Sequence, residues 1–174
     1  MNLLSAVLVS VLSQSMVIEG QLDGGAAYEM ISFEVPAGIQ EISVAHPSQD
    51  AQNILDYGLW APDGFRGYGG GNSEPFVVAE TGASRSYLPG AITPGTWQVM
   101  IGKAQVKSAP PRYRLEIELR AAQTLPAQPR APLPTVTLST EARWYAGDFH
   151  VHTEQSGDAH PTMLAAATFA RSRG

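Results

Sequence analysis

The stretch that decides the fold is Tyr113-Arg114-Leu115-Glu116-Ile117-Glu118-Leu119. Successive side chains of an extended strand point to opposite sides, so Leu115, Ile117 and Leu119 share one face and Arg114, Glu116 and Glu118 the other. This alternation predicts a strand with one side in a core and the other in solvent. Toward the N-terminus the same period recurs in Val17 to Leu22 and in Tyr28 to Val35, where Met30, Ser32 and Glu34 oppose Ile31, Phe33 and Val35. Further strands are expected at Ile39 to Val44, Ile54 to Trp60, Phe76 to Ala79, Tyr87 to Gly90 and Gly95 to Gly102. Asp23-Gly24-Gly25, Pro36-Ala37-Gly38 and Ala61-Pro62-Asp63-Gly64 are turn signals between them. About eight strands at this spacing predict a mainly β chain whose residues 16–120 form an antiparallel, jelly-roll-like β-sandwich. The polar run from His46 to Asn53 reads as a loop. So does glycine-rich Phe65 to Gly71, which lacks the spacing and the Lys-Ser/Thr of a phosphate loop.

Bulk composition agrees with a folded domain. Of 174 residues, 44% are hydrophobic and 16% charged, too apolar for a disordered tail, and 17 glycines with 13 prolines favour short strands and turns over long helices. A net charge of −5 argues against a nucleic-acid binder, which needs a basic surface for phosphates. With no cysteine, a disulfide framework and a thiolate metal site are both excluded. Gly-x-Ser-x-Gly is also absent, so a serine or cysteine nucleophile is not expected.

The N-terminus admits three readings. Leu3 to Leu12 has the length of a secretory apolar segment, and Ser13-Gln14-Ser15 suits cleavage before Met16, so residues 1–15 are a candidate signal peptide. No Lys or Arg precedes the run, which leaves a buried first strand as the rival. The third reading starts the protein at Met16 in the cytoplasm. The run is too short to span a bilayer, which takes about 20 residues.

Toward the C-terminus the pattern changes. Pro126, Pro129, Pro132 and Pro134 make residues 121–134 a semi-rigid linker and a domain boundary. Thr135 to Leu138 is expected to begin a strand that runs into Trp144-Tyr145-Ala146-Gly147-Asp148-Phe149-His150-Val151-His152-Thr153. In such a strand Asp148, His150 and His152 share one face, and Phe149 and Val151 the other. Neutral imidazoles and carboxylates are poor core material but standard ligands for zinc, manganese or iron. Asp158 follows in a turn-forming Ser156-Gly157-Asp158. A helix is then expected from Pro161, at the first helical position, through Thr162 to Arg173, with Leu164, Ala167 and Phe169 as buried contacts and Gly174 just past its end.

Gly147-Asp148-Phe149-His150-Val151-His152-Thr153 with Ser156-Gly157-Asp158 closely resembles the opening motif of the PHP (polymerase and histidinol phosphatase) domain. A sandwich followed by a Pro-rich joint and this motif resembles the carbaryl hydrolase-like branch of those metallohydrolases. The resemblance implies a distorted (β/α)₇ barrel holding two or three divalent ions (Zn, Mn or Fe) that activate water. It places His150, His152 and Asp158 as metal ligands and Asp148 as the acid that orients an imidazole. His160 matches no ligand of the family and reads as loop or helix cap.

The family draws further ligands from later strands, including a Thr-Asp-His-Asn segment that this chain lacks. Residues 135–174 are therefore expected to be the first β-α unit of an incomplete PHP domain, inactive alone, within a hydrolase of phosphoesters or of carboxyl esters, amides or carbamates. The alternative function is a non-catalytic β-sandwich that binds a glycan, a polymer or a partner domain. Trp60, Trp97, Tyr57 and Tyr68 are candidates for its aromatic platform, although the apolar strands around Trp60 and Trp97 place both in the core.

Overall fold

The computed structural model describes residues 13–128, 139–148, 150–154 and 159–173. Expectations for residues 3–12, Pro129, Pro132, Pro134, Thr135 to Leu138, Phe149, Asp158 and Gly174 lie outside the described residues. The chain divides into two compact units, Met1–Arg130 and Ala131–Gly174. Among the described residues no helix is long and apolar enough to cross a membrane.

The described residues of the first unit form eight strands: β1 (Gln14–Gln21), β2 (Tyr28–Val35), β3 (Glu41–Ala45), β4 (Ile54–Ala61), β5 (Gly64–Tyr68), β6 (Phe76–Ala79), β7 (Gly95–Gln105) and β8 (Arg112–Arg120). They pair antiparallel into two four-stranded sheets, β1-β8-β3-β6 and β2-β7-β4-β5. Apart from β4 and β5, each strand lies in the opposite sheet from its successor, the interleaving of an eight-stranded jelly roll. Strand β1 starts at Gln14, so Gln14 and Ser15, part of the candidate cleavage site, pair with Leu119 and Glu118.

The alternation read in the sequence builds the core. Leu115, Ile117 and Leu119 of β8 and Trp97, Val99 and Ile101 of β7 have no exposure and belong to one cluster with Phe33, Leu59, Ile42 and Val78. Trp97 spends its indole N–H on Thr93 O at 2.8 Å, so its polar atom is not stranded in the core. Removing a ring of this size typically costs about 3–5 kcal/mol.

Two elements differ from expectation. Phe65 to Gly71 contains strand β5 rather than only a loop, while Tyr87 makes a single bridge to Gly67 instead of a strand. One contact explains both. At Gly67, with φ +133°, a Cβ would fall 2.5 Å from Ser86 O and 2.5 Å from Tyr87 Cα. The glycine marks close approach of two backbones, sealed by Tyr68 N–H on Ser86 O at 3.2 Å and Leu88 N–H on Arg66 O at 2.8 Å. Arg66 is itself buried, and its guanidinium donates to the carbonyls of Leu88, Gly90 and Ala91 at 3.1, 2.9 and 2.9 Å while lying 5.2 Å from the Trp97 ring centroid. Trp60, expected in the core, is half-buried and meets Phe65 edge to face at 4.6 Å.

Strand β3 is buried on both faces because the chain after β8 returns over it. Glu41, with no exposure, accepts from Arg120 Nη1 at 2.6 Å, Thr124 Oγ1 at 2.7 Å, Thr124 N at 2.8 Å and Leu125 N at 3.1 Å. Burial alone would raise its pKa, but these hydrogen bonds outweigh it and hold the carboxyl below its ordinary range. Gln123 and Gln128 bond to Thr81 and Ala83, so residues 121–128 of the proline-rich stretch lie against the sandwich.

Gly67→Ala is expected to lower the stability of the sandwich by about 2–4 kcal/mol, from a strained φ plus two displaced backbone atoms, as read by urea unfolding. Unchanged stability would show that the β5 crossing is not tight. For Glu41 the folded pKa lies below the unfolded one, so its stabilisation is complete above the ordinary glutamate range and is lost as pH falls through it. Glu41→Gln should therefore cost about 1–3 kcal/mol at neutral pH, with the gap to wild type closing toward pH ~3 in thermal melts.

Candidate metal centre

The second unit carries the His-x-His motif. Among its described residues Met163–Ser172 forms a helix, α1, and no strand forms. The expected strand is thus not formed by the described residues from 139 to 154: Trp144 is 98% exposed, and Val151, on the side expected to back the ligand face, is 58% exposed. An extended segment needs a ladder partner before alternation can sort its faces into core and solvent.

The two imidazoles nevertheless converge. His150 Nε2 and His152 Nε2 lie 2.7 Å apart, with ring centroids 4.8 Å apart and the planes tilted by 34°. Both residues are exposed. Two nitrogens bound to one ion at about 2.0–2.1 Å are separated by roughly 2.8 to 3.4 Å, from right-angled to tetrahedral arrangement, so the pair sits just below that range. The same distance suits an N–H···N hydrogen bond between a donor and an acceptor tautomer.

Asp148 acts on the backbone rather than on a ring. Its Oδ1 accepts the His150 N–H at 2.9 Å, an Asx turn that fixes the segment just where the first imidazole leaves it. The sequence expectation had this carboxylate orienting an imidazole. Downstream, Glu154 N–H donates to Pro161 O at 2.9 Å, and Asp158 lies outside the described residues. Thr162 then caps α1, its Oγ1 accepting Ala165 N–H at 3.1 Å. Pro161 therefore lies one residue outside the cap instead of at the first helical position, because its carbonyl is taken by Glu154 and Thr162 supplies the better capping oxygen. His160 is exposed.

None of the residues of α1 is buried, and Leu164 and Phe169 are 77% and 61% exposed, against the expectation of a packed stripe. Arg173 instead lies over the Phe169 ring at 5.0 Å. Among the described residues no group of three or more His, Asp or Glu side chains converges on one point.

The remaining histidine, His46, belongs to the first unit and serves its core. It is buried and stacks on Tyr57 at 4.0 Å with Phe76 at 5.9 Å. Burial lowers its pKa, opposed by hydrogen bonds to backbone groups of His46 and Glu74. Hollows of about 160 and 240 Å³ flank it, with Tyr57 and Asn72 common to both. The Tyr57 hydroxyl there has its pKa pushed up to about 12, first by burial and then by Asp56. Sequence reading placed His46 in a polar loop; the aromatic residues that enclose it come from strands β4 and β6.

No family model matches the chain, and no curated protein matches it. Among solved structures it is similar to PliG of Salmonella Typhimurium, a periplasmic lysozyme inhibitor of g-type lysozyme, at 16% identity over 62% of this chain and 89% of that one, with a TM-score of 0.29. A superposition that loose carries neither fold nor site from one protein to the other.

Proposed function

We propose that the second unit contributes ligands to the metal centre of a hydrolase of PHP type, acting on a phosphoester or on a carboxyl ester, amide or carbamate. The observation that carries this reading is the convergence of His150 Nε2 and His152 Nε2 to 2.7 Å on the exposed side of one short segment. His150 and His152 are the nitrogen ligands, and Asp158 is assigned as the oxygen ligand on the resemblance alone. A divalent ion of the zinc, manganese or iron class, when bound, supplies hydroxide at neutral pH by lowering the pKa of its water toward ~7. The residues of this chain orient the site: Asp148 holds the His150 backbone, and the Glu154–Pro161 bond returns the chain to the helix start.

Both residues are exposed, and opening the rings by a few tenths of an ångström brings the two nitrogens to ligand spacing. Exposure also leaves water free to compete for the ion. Three protein ligands are the minimum of a catalytic zinc site. The reading therefore expects residues 1–174 to bind metal weakly and to hydrolyse ester at background rate, with turnover belonging to a longer polypeptide. Export to the periplasm or beyond is part of this proposal and rests on the apolar run at residues 3–12.

Titration of the purified chain with Co²⁺, followed by visible absorption, is expected to give saturable binding that weakens about tenfold or more in His150→Ala and in His152→Ala. Absorption unchanged by both substitutions would remove the imidazoles from the site. In the same samples p-nitrophenyl phosphate and p-nitrophenyl acetate should show no metal-dependent hydrolysis. Robust turnover would mean that the described ligands suffice.

A further inference from the structure

The outer face of the sheet β2-β7-β4-β5 is built around one tyrosine. A Cβ on Gly58 of β4 would sit 2.9 Å from Tyr68 Cδ2, and one on Gly102 of β7 would sit 2.9 Å from the Tyr68 hydroxyl. The ring therefore lies along the sheet, across both glycines, where any larger residue would lift it off. Its hydroxyl donates to Asp56 Oδ2 at 2.9 Å, which fixes the ring against rotation out of the plane. One row further along the register Trp60 stands between Gln98 and Phe65, with Phe65 47% exposed. Successive residues on one face of a strand repeat at about 6.6 Å, so the two aromatic groups are spaced for neighbouring rings of one extended ligand.

Charge narrows the occupant. The charged side chains at the described register positions of this face, Asp56 and Glu34, are both carboxylates. Asp56 keeps a second oxygen, Oδ1, enclosed and without a hydrogen-bond partner. A surface with carboxylates, a fixed aromatic shelf and no Lys or Arg at its described register positions repels phosphate, sulfate and uronate groups. It suits a molecule with a weakly positive C–H face and many hydroxyl donors. We infer that this face is a binding site for a neutral saccharide, whose rings stack on Tyr68, held flat by Asp56, and on the Trp60–Phe65 pair while hydroxyls bond to Gln98. The inference is independent of the metal centre.

The test titrates the full chain with neutral hexasaccharides: β-1,4-glucan, α-1,4-glucan and β-1,4-linked N-acetylglucosamine. Binding is read by calorimetry and by Trp fluorescence, with heparin and hexalysine as charged controls. At least one neutral hexasaccharide is expected to bind, and Tyr68→Ala and Trp60→Ala should each weaken it about tenfold or more. Val17→Ala, on the other sheet, should leave it unchanged. Thermal melts report folding; if Tyr68→Ala is unfolded, Trp60→Ala and Gln98→Ala decide. Absence of binding by every neutral hexasaccharide overturns the inference. So does affinity unaltered by the substitutions on this face, or tighter binding of heparin or hexalysine.

Discussion

The structure depends on the burial of two interior strand faces, Trp97, Val99 and Ile101 on β7 and Leu115, Ile117 and Leu119 on β8, none of which has any exposure. Each strand lies between two others in its own sheet, so its backbone groups are spent on ladder bonds and its inward side chains are free to exclude water. Once those six residues face the core, the period of the strand sends the alternate residues outward. What each sheet does with its outer face is then a separate question, and the two sheets answer it differently. One covers its face with the chain itself, through Glu41 and residues 121–128. The other leaves its face open and lays Tyr68 over it.

This division explains which parts of the fold were legible in the sequence. Alternation is local, so most of the strands, the two faces of β2 and the inward residues of β8 could be read directly. Strand β5 could not, because its signal is a glycine required by a backbone approaching from Ser86 and Tyr87, roughly a turn and a strand later in the chain. Glycine clusters look alike whether they free a loop or admit a neighbour. Glu41 was hidden for a related reason: inside an apolar strand a carboxylate reads as an error until its partners, Arg120, Thr124 and Leu125, are brought to it from the other end of the sandwich. Trp60 was misplaced because an apolar strand pattern does not say which face is the core when both carry large residues.

The metal candidate was legible only in part. A spacing of two residues suffices to put His150 and His152 on one side, and they meet there even without a strand. The part played by Asp148 was not legible, since an aspartate two residues before a histidine can serve either the ring or the backbone. Here it takes the backbone N–H. The buried stripe expected on α1 failed because periodicity reports what a helix is able to bury, and burial needs a second surface to meet.

Comparison of His46 with the His150–His152 pair shows why residue type alone does not name a ligand. Metal binding takes a neutral imidazole with a free lone pair and room for the ion. Burial favours the neutral form of His46, but its ring is stacked on Tyr57 beside Phe76, and among the described residues no group of three or more His, Asp or Glu side chains includes it. His150 and His152 have the opposite balance: they are exposed, and their Nε2 atoms face each other across 2.7 Å. A single proton shared between two such nitrogens, or a cation replacing it, satisfies both at once. Exposure and a second ring nitrogen at hydrogen-bonding distance, in place of aromatic enclosure, set this pair apart from His46.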